Sequence, residues 1–255
     1  MFTRRLVVQD LRAVFYLGIP LVFNNISSIG VNVADTLMAS AMGAKQLAAI
    51  ALGSGVWITL FLLGLGILMS IGPTVAQHYG AKRYRSIERD TKQGFWLAVG
   101  IGFILIVVMR SFYPVYGWLG IDPEVSILAQ GYLDGLSWGV FGALGYHTLK
   151  QMSEGIGRTV PIMIVMLCAL PINIFLNYIL MFGKVLPNPM GAPGCGLGSG
   201  ISFWLMFFML YFYIKYSKRY DSLFSSFSLV PPDWTVLKRL IGLGLPIGFS
   251  FFLQS

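Results

Sequence analysis

Six apolar stretches of membrane-crossing length recur along this 255-residue chain, at 13–38, 47–77, 94–118, 127–149, 161–183 and 195–216. In hydrocarbon every backbone N–H and C=O must find a partner inside the protein, so a spanning segment is a helix or a strand of a closed barrel. Runs of about 20 apolar residues have the length of helices rather than strands. The expected fold is an all-α integral membrane protein with six transmembrane helices. A seventh apolar segment opens near Leu240 and is cut short at Ser255. A soluble alternative is excluded by composition: 11% of the residues are charged, against about 25% in soluble domains.

The formal net charge of +8 raises nucleic acid as a partner, but the positions of the charges argue for lipid. If the spans alternate, 15 of the 18 Lys and Arg fall on one side, and only Lys45, Arg110 and Lys184 fall on the other. Such asymmetry puts the N-terminus in the cytoplasm by the positive-inside rule. The first apolar run is too long for a signal-peptide core and lacks a small-residue cleavage pattern, so it should stay as an anchor. Cys168 and Cys195 form neither a disulfide framework nor a metal-binding spacing.

Asp35 stands near the outer end of the first span. Asn32, Ser28 and Asn25 precede it at spacings of three, four and three, so all four side chains share one helix face. A carboxylate costs roughly 2.5–3.5 kcal/mol to insert at the centre of a spanning helix, which marks it as an ion or proton site. Pro20 removes a backbone hydrogen bond from the same helix and makes it bendable. On the fifth span, Asn173 and Asn177 lie one turn apart beyond Pro171, and Ser199 enters from the sixth at similar depth. These oxygen-bearing groups, with no Cys or His, suit Na+ or a proton relay better than a transition metal. The competing reading is a seam of packing hydrogen bonds between helices.

Other polar and glycine-rich features read as structural. Gly131, Gly135, Gly139, Gly142 and Gly145 on the fourth span, and Gly194 to Gly200 at the start of the sixth, allow close helix contact. Asp134 reads as a solvated interfacial charge, Glu154 and Arg158 as an i,i+4 surface pair, and His78 and His147 as interfacial packing. The stretch Gly80–Gly94 reads as a cytoplasmic loop in contact with lipid headgroups. No nucleophile elbow or H-E-x-x-H motif supports an enzyme, and no cofactor is expected.

Residues 237–249 can be laid over 11–23 without a gap, matching Lys238 to Arg12, Gly244 to Gly18 and Pro246 to Pro20. Six spans separate the copies, so they would be parallel repeats about an axis along the membrane normal. Pro231-Pro232-Asp233-Trp234 reads as a break, a helix N-cap and an interfacial anchor before a helix that lies along the membrane and then turns in. The expected division is a six-helix lobe over 1–216, a cytoplasmic connector over 217–239 and the start of a seventh helix over 240–255.

With these residues in place, the chain resembles the multidrug and toxic compound extrusion transporters, in particular their bacterial NorM-like branch. The resemblance rests on Val33-Ala34-Asp35-Thr36-Leu37-Met38-Ala39, Pro73-Thr74-Val75-Ala76-Gln77-His78-Tyr79-Gly80-Ala81, Ser153-Glu154-Gly155-Ile156-Gly157-Arg158-Thr159, and Asn173 with Asn177. It implies one six-helix lobe of a two-lobed transporter in a bacterial inner membrane, exporting small organic cations or drugs in exchange for Na+ or H+. It also implies a coupling-ion site at Asp35, Asn173, Asn177 and Ser199, where Ser199 stands in place of a frequent threonine. Gln254 occupies a position where such proteins often carry glutamate. The alternatives are a fragment acting as a non-transporting scaffold, and a related lipid-linked saccharide flippase.

Overall fold

The computed structural model describes residues 2–184, 189–220 and 230–252. Gln254 and residues 221–229 of the connector lie outside the described residues. The elements are α1 (Phe2–Ala41), α2 (Ala44–Met69), α3 (Ile71–Gly80), α4 (Tyr84–Arg110), α5 (Tyr113–Trp118), α6 (Pro123–Ser137), α7 (Val140–Gly155), α8 (Val160–Phe182), α9 (Ala192–Tyr216) and α10 (Trp234–Phe252), with no strand among the described residues. Among the described residues, four segments are long and apolar enough to cross a membrane: Ala44–Gly80, Tyr84–Arg110, Val160–Phe182 and Ala192–Tyr216. The 40-residue α1 and the α6–α7 pair, broken only at Trp138-Gly139, complete the six rods of one lobe.

Side-chain chemistry sets several helix boundaries. Asp122 caps α6 by accepting from the backbone N–H groups of Glu124 and Val125, and Asp233 caps α10 by accepting from those of Thr235 and Val236. The first turn of α9 is capped from another helix, since Gln46 Oε1 on α2 accepts from the N–H of Ala192 at 2.7 Å. At the N-terminal ends of α2 and α6, Lys45 pairs with Glu124.

The sixth rod, α9, packs against α6, α7 and α8, and glycine makes the approach possible. A Cβ on Gly135 would stand 2.8 Å from the backbone N of Leu197, and one on Gly142 would stand 2.8 Å from that of Trp204. Between them, Gly139 meets Gly200 backbone to backbone. Lipid tails are as apolar as leucine, so close van der Waals contact of this kind, rather than expulsion of water, holds such helices together.

The third span differs from the sequence reading at both ends. It stops at Arg110 instead of Trp118, because Pro114 has no N–H to donate and its ring would clash with the carbonyl of Arg110 four residues back. At its N-terminal end, the stretch expected to be a loop is helical from Tyr84. Asp90, Thr91, Lys92 and Gln93 are buried there. Their cover is the start of the seventh helix: Gln93 Nε2 donates to the carbonyl of Pro231, Gln93 Oε1 accepts from the N–H of Asp233, and Trp96 Nε1 donates to the carbonyl of Val230. Protein contact replaces much of the expected lipid contact.

Three further readings change. Glu154 lies 3.9 Å from Lys150, whereas Arg158 donates to the carbonyl of Arg219 and covers the Tyr220 ring at 4.7 Å. The left-handed turn at Gly157 (φ 74) takes Arg158 out of helical register with Glu154. Asp134 is only partly exposed and accepts from Gln130 Nε2 at 2.9 Å. The seventh helix is one continuous element from Trp234 to Phe252, with no break between an interfacial part and an entering part.

Candidate functional site

Asp35 faces α8, not the lipid. Its Oδ1 accepts from Asn177 Nδ2 at 2.6 Å, and the same amide nitrogen lies 3.2 Å from Asn173 Oδ1. Asn173 Nδ2 in turn is 3.4 Å from both Ser199 Oγ and Ser202 Oγ. A polar relay therefore runs from α1 across one face of α8 to α9, with Asn173, Asn177, Ser199 and Ser202 all buried.

Local packing explains why this relay can close. A Cβ at Gly194 would press on the backbone of Leu180 at 2.8 Å, and one at Gly198 would collide with Asn177 Oδ1. Glycine at both positions lets α8 settle onto α9 with the Asn177 amide between them. Ser202 Oγ donates to the carbonyl of Gly198 at 2.9 Å, which directs its lone pairs toward Asn173. Asn177 Oδ1 is buried against Gly198 and accepts no hydrogen bond.

The relay opens on a cavity of about 300 Å³ whose wall includes Asn25, Ser28, Asn32, Asp35, Asn173 and Ser199. The sequence stripe on α1 is thus a single wall of one chamber. Asn177 stands behind the wall, held to Asp35 and Asn173. Pro20 is buried within the unbroken α1 and is not part of the lining.

Several lining residues escaped the sequence reading. Ser202 follows Ser199 by three and shares its face, a spacing that could have revealed it. Trp57 and Tyr132 come from α2 and α6, which carry no distinctive polar pattern at those positions. Trp57 stacks on Phe61 at 4.6 Å between ring centres and lies 5.8 Å from Phe203, giving the cavity an aromatic side. Asn24, next to the expected stripe, is the buried asparagine of that turn, whereas Asn25 is exposed. His147, expected to pack at the interface, instead lines the chamber with its ring 5.3 Å from that of Phe61. Among the described residues no group of three or more His, Cys, Asp or Glu could hold a metal ion.

Comparison with known proteins places this geometry. Residues 20–179 match the MatE family. The multidrug resistance protein MdtK of Yersinia pestis is 34% identical over 248 residues, which make up 97% of this chain and 54% of that protein. The crystal structure of MATE in the bent conformation is similar with a TM-score of 0.81 and 21% identity, over 94% of this chain and 52% of that one. The straight conformation gives a TM-score of 0.81 and 20% identity over the same shares. This chain spans about half the length of the relatives it matches. With more than half of its residues under the family match and its helices laid out as in the solved MATE structures, the chain belongs to the MatE family.

Proposed function

We propose that the chain forms one six-helix lobe of a secondary antiporter, with a second lobe completing the transport path. The antiporter exports organic, chiefly cationic, compounds across a bacterial inner membrane in exchange for Na+ or H+. It performs no covalent chemistry and uses no cofactor. The observation that carries this reading is the 2.6 Å contact between Asp35 and Asn177 at the wall of an aromatic-sided cavity. The name of the similar MdtK protein supports the multidrug part of it.

The coupling step follows from the charge of Asp35. As a carboxylate, it accepts the Asn177 hydrogen bond, attracts an organic cation into the cavity and ties α1 to α8. A proton or Na+ arriving from outside neutralises it, weakens its attraction for the cation and changes its bond to Asn177. A drug and a coupling ion that compete for one carboxylate exchange with each other. Pro20 supplies a point at which α1 can bend in response, because the carbonyl one turn before it has no N–H to accept from. The bent and straight conformations of the similar MATE protein fit a lobe with two stable shapes.

The test is export of a fluorescent organic cation from vesicles carrying the intact protein, with Na+ and H+ gradients imposed separately. Asp35→Asn should insert normally and lose gradient-driven export. Undiminished export by this variant would refute the assignment.

A further inference from the structure

A second, smaller cavity lies between the N-terminal end of α8 and the C-terminal end of α9, and it shares no lining residue with the chamber. Its volume is about 50 Å³ and its walls are Arg158, Val160, Pro161, Tyr213, Arg219 and Tyr220. Because α8 and α9 are consecutive spans, these two ends lie at one membrane surface. It is the surface that receives 15 of the 18 Lys and Arg when the spans alternate. A drug-sized ligand needs roughly 300 Å³ or more, so this cavity admits only a single small group.

The charge of that group follows from the two arginines. Neither Arg158 nor Arg219 enters an ion pair among the described residues, and no carboxylate lines the cavity. Arg158 is held in place: its Nη1 donates to the carbonyl of Arg219, and its guanidinium covers the Tyr220 ring at 4.7 Å. Tyr220 is fully buried and fixed in turn. Ser153 Oγ gives its one proton to the carbonyl of Arg158 at 2.9 Å, so the Tyr220 hydroxyl, 2.6 Å from the same oxygen, is the donor of that pair. A guanidinium with five N–H groups, one of them committed, is thus pinned beside a second cation. Such a fork is arranged in advance for an anion with several oxygens.

The apolar surroundings narrow the choice of anion. Val160, on the cavity wall, opens a row with Ile164, Leu167 and Pro171, which share one face of α8 by their spacings of four, three and four. Ile164 and Leu167 are 45% and 43% exposed. On α9, Tyr213 and Tyr216 are exposed too, and tyrosine rings favour the headgroup level of a bilayer. An anion-sized cavity that continues into an exposed apolar row matches a molecule with a charged head and a hydrocarbon tail. We propose that this cavity is a headgroup site for an anionic phospholipid of the adjoining leaflet. Arg158 and Arg219 bind its phosphodiester, and an acyl chain lies along the Val160 row. The lipid then bridges α8, which carries Asn173 and Asn177, to α9, which carries Ser199.

The experiment titrates the purified intact protein with lipid and counts bound molecules by native mass spectrometry. Dioleoylphosphatidylglycerol should bind about ten-fold more tightly than dioleoylphosphatidylcholine, whose choline sets a cation against the arginines. Arg158→Gln and Arg219→Gln should each weaken the phosphatidylglycerol about ten-fold, the loss of one charge-assisted contact. Arg219 is exposed and its side chain has no partner among the described residues, so its replacement tests the site without disturbing the fold. Lys82→Gln removes the same charge from the exposed turn between α3 and α4 and should change binding less than about two-fold. Equal weakening by Lys82→Gln and Arg219→Gln would reduce the effect to diffuse surface charge and overturn the site. Equal affinity for the two lipids, or displacement of the bound lipid by inorganic phosphate alone, would overturn it as well. Asp35 takes no part in this binding, so the coupling role and the lipid site stand or fall separately.

Discussion

Arg239, in the second turn of α10, places Nη2 2.6 Å from Oδ2 of Asp90, a carboxylate with no solvent exposure on α4. His78 Nε2 approaches the same oxygen at 3.1 Å, and Arg89 Nε lies 3.6 Å from Oδ1. A buried anion survives only when cations and donors surround it, and removing one partner is more costly than removing both. Arg239→Met should lower stability by roughly 2 kcal/mol, less than the 3–5 kcal/mol of a fully buried pair because the arginine side chain is itself 41% exposed. Asp90→Asn combined with Arg239→Met should be milder than Arg239→Met alone. Thermal unfolding in detergent, arranged as a double-mutant cycle, checks both outcomes.

The contact between Gly139 and Gly200 leaves no space for a methyl group. Gly139→Ala should therefore push α7 off α9 and cost on the order of 2 kcal/mol. Gly100, on α4, has nothing within 4 Å of where its Cβ would stand. Gly100→Ala should be neutral or stabilising by up to about 1 kcal/mol, from helix propensity alone. The same unfolding assay on both variants distinguishes packing from propensity.

Asn173 divides its amide between two hydroxyls at equal distance. Ser199→Ala or Ser202→Ala alone should leave one acceptor in place and shift the Na+ or H+ concentration for half-maximal export by less than about three-fold, since a net hydrogen bond of this kind is worth about 1 kcal/mol or less. The double variant strands a buried donor and should shift it by ten-fold or more, from a penalty of roughly 1–3 kcal/mol. Ion titration of export in the single and double variants reads this out.

Pro20→Ala returns an N–H to the interior of α1, where alanine is favoured over proline by about 3 kcal/mol. A straighter, stiffer α1 should keep dye affinity within about two-fold, because Pro20 is outside the cavity wall, and should slow export. Equal turnover of the two proteins would remove Pro20 from the mechanism.

The parts of the site that were legible in the sequence are those written within one helix. Asn32 and Asp35 share a face because helical spacing requires it, and Asn173 and Asn177 do so for the same reason. The glycines of the fourth span likewise announced a close helix contact, though not that α9 would fill it. What could not be read was the meeting of residues from different helices: Tyr146 and His147 reach the chamber through the rotation of α7 about its axis, which packing against α9 sets. The stretch from Tyr84 to Gln93 misled for a related reason. Its charges resemble those of a solvated loop, and only the fold brings Arg239 and the Pro231–Asp233 backbone to pair with them.

The stretch from Leu237 that aligns with residues 11–23 does not pack as that earlier stretch does. Gly18 has nothing within 4 Å, whereas its counterpart Gly244 is pressed against the backbone of Ile67 and Gly248 meets Gly66. Together with the Gln93 clasp, these contacts fasten the described part of the seventh helix along its length to α2 and α4. If the two halves of such a transporter rock against each other, this helix travels with the half that precedes it, and the pivot falls after it rather than at the connector.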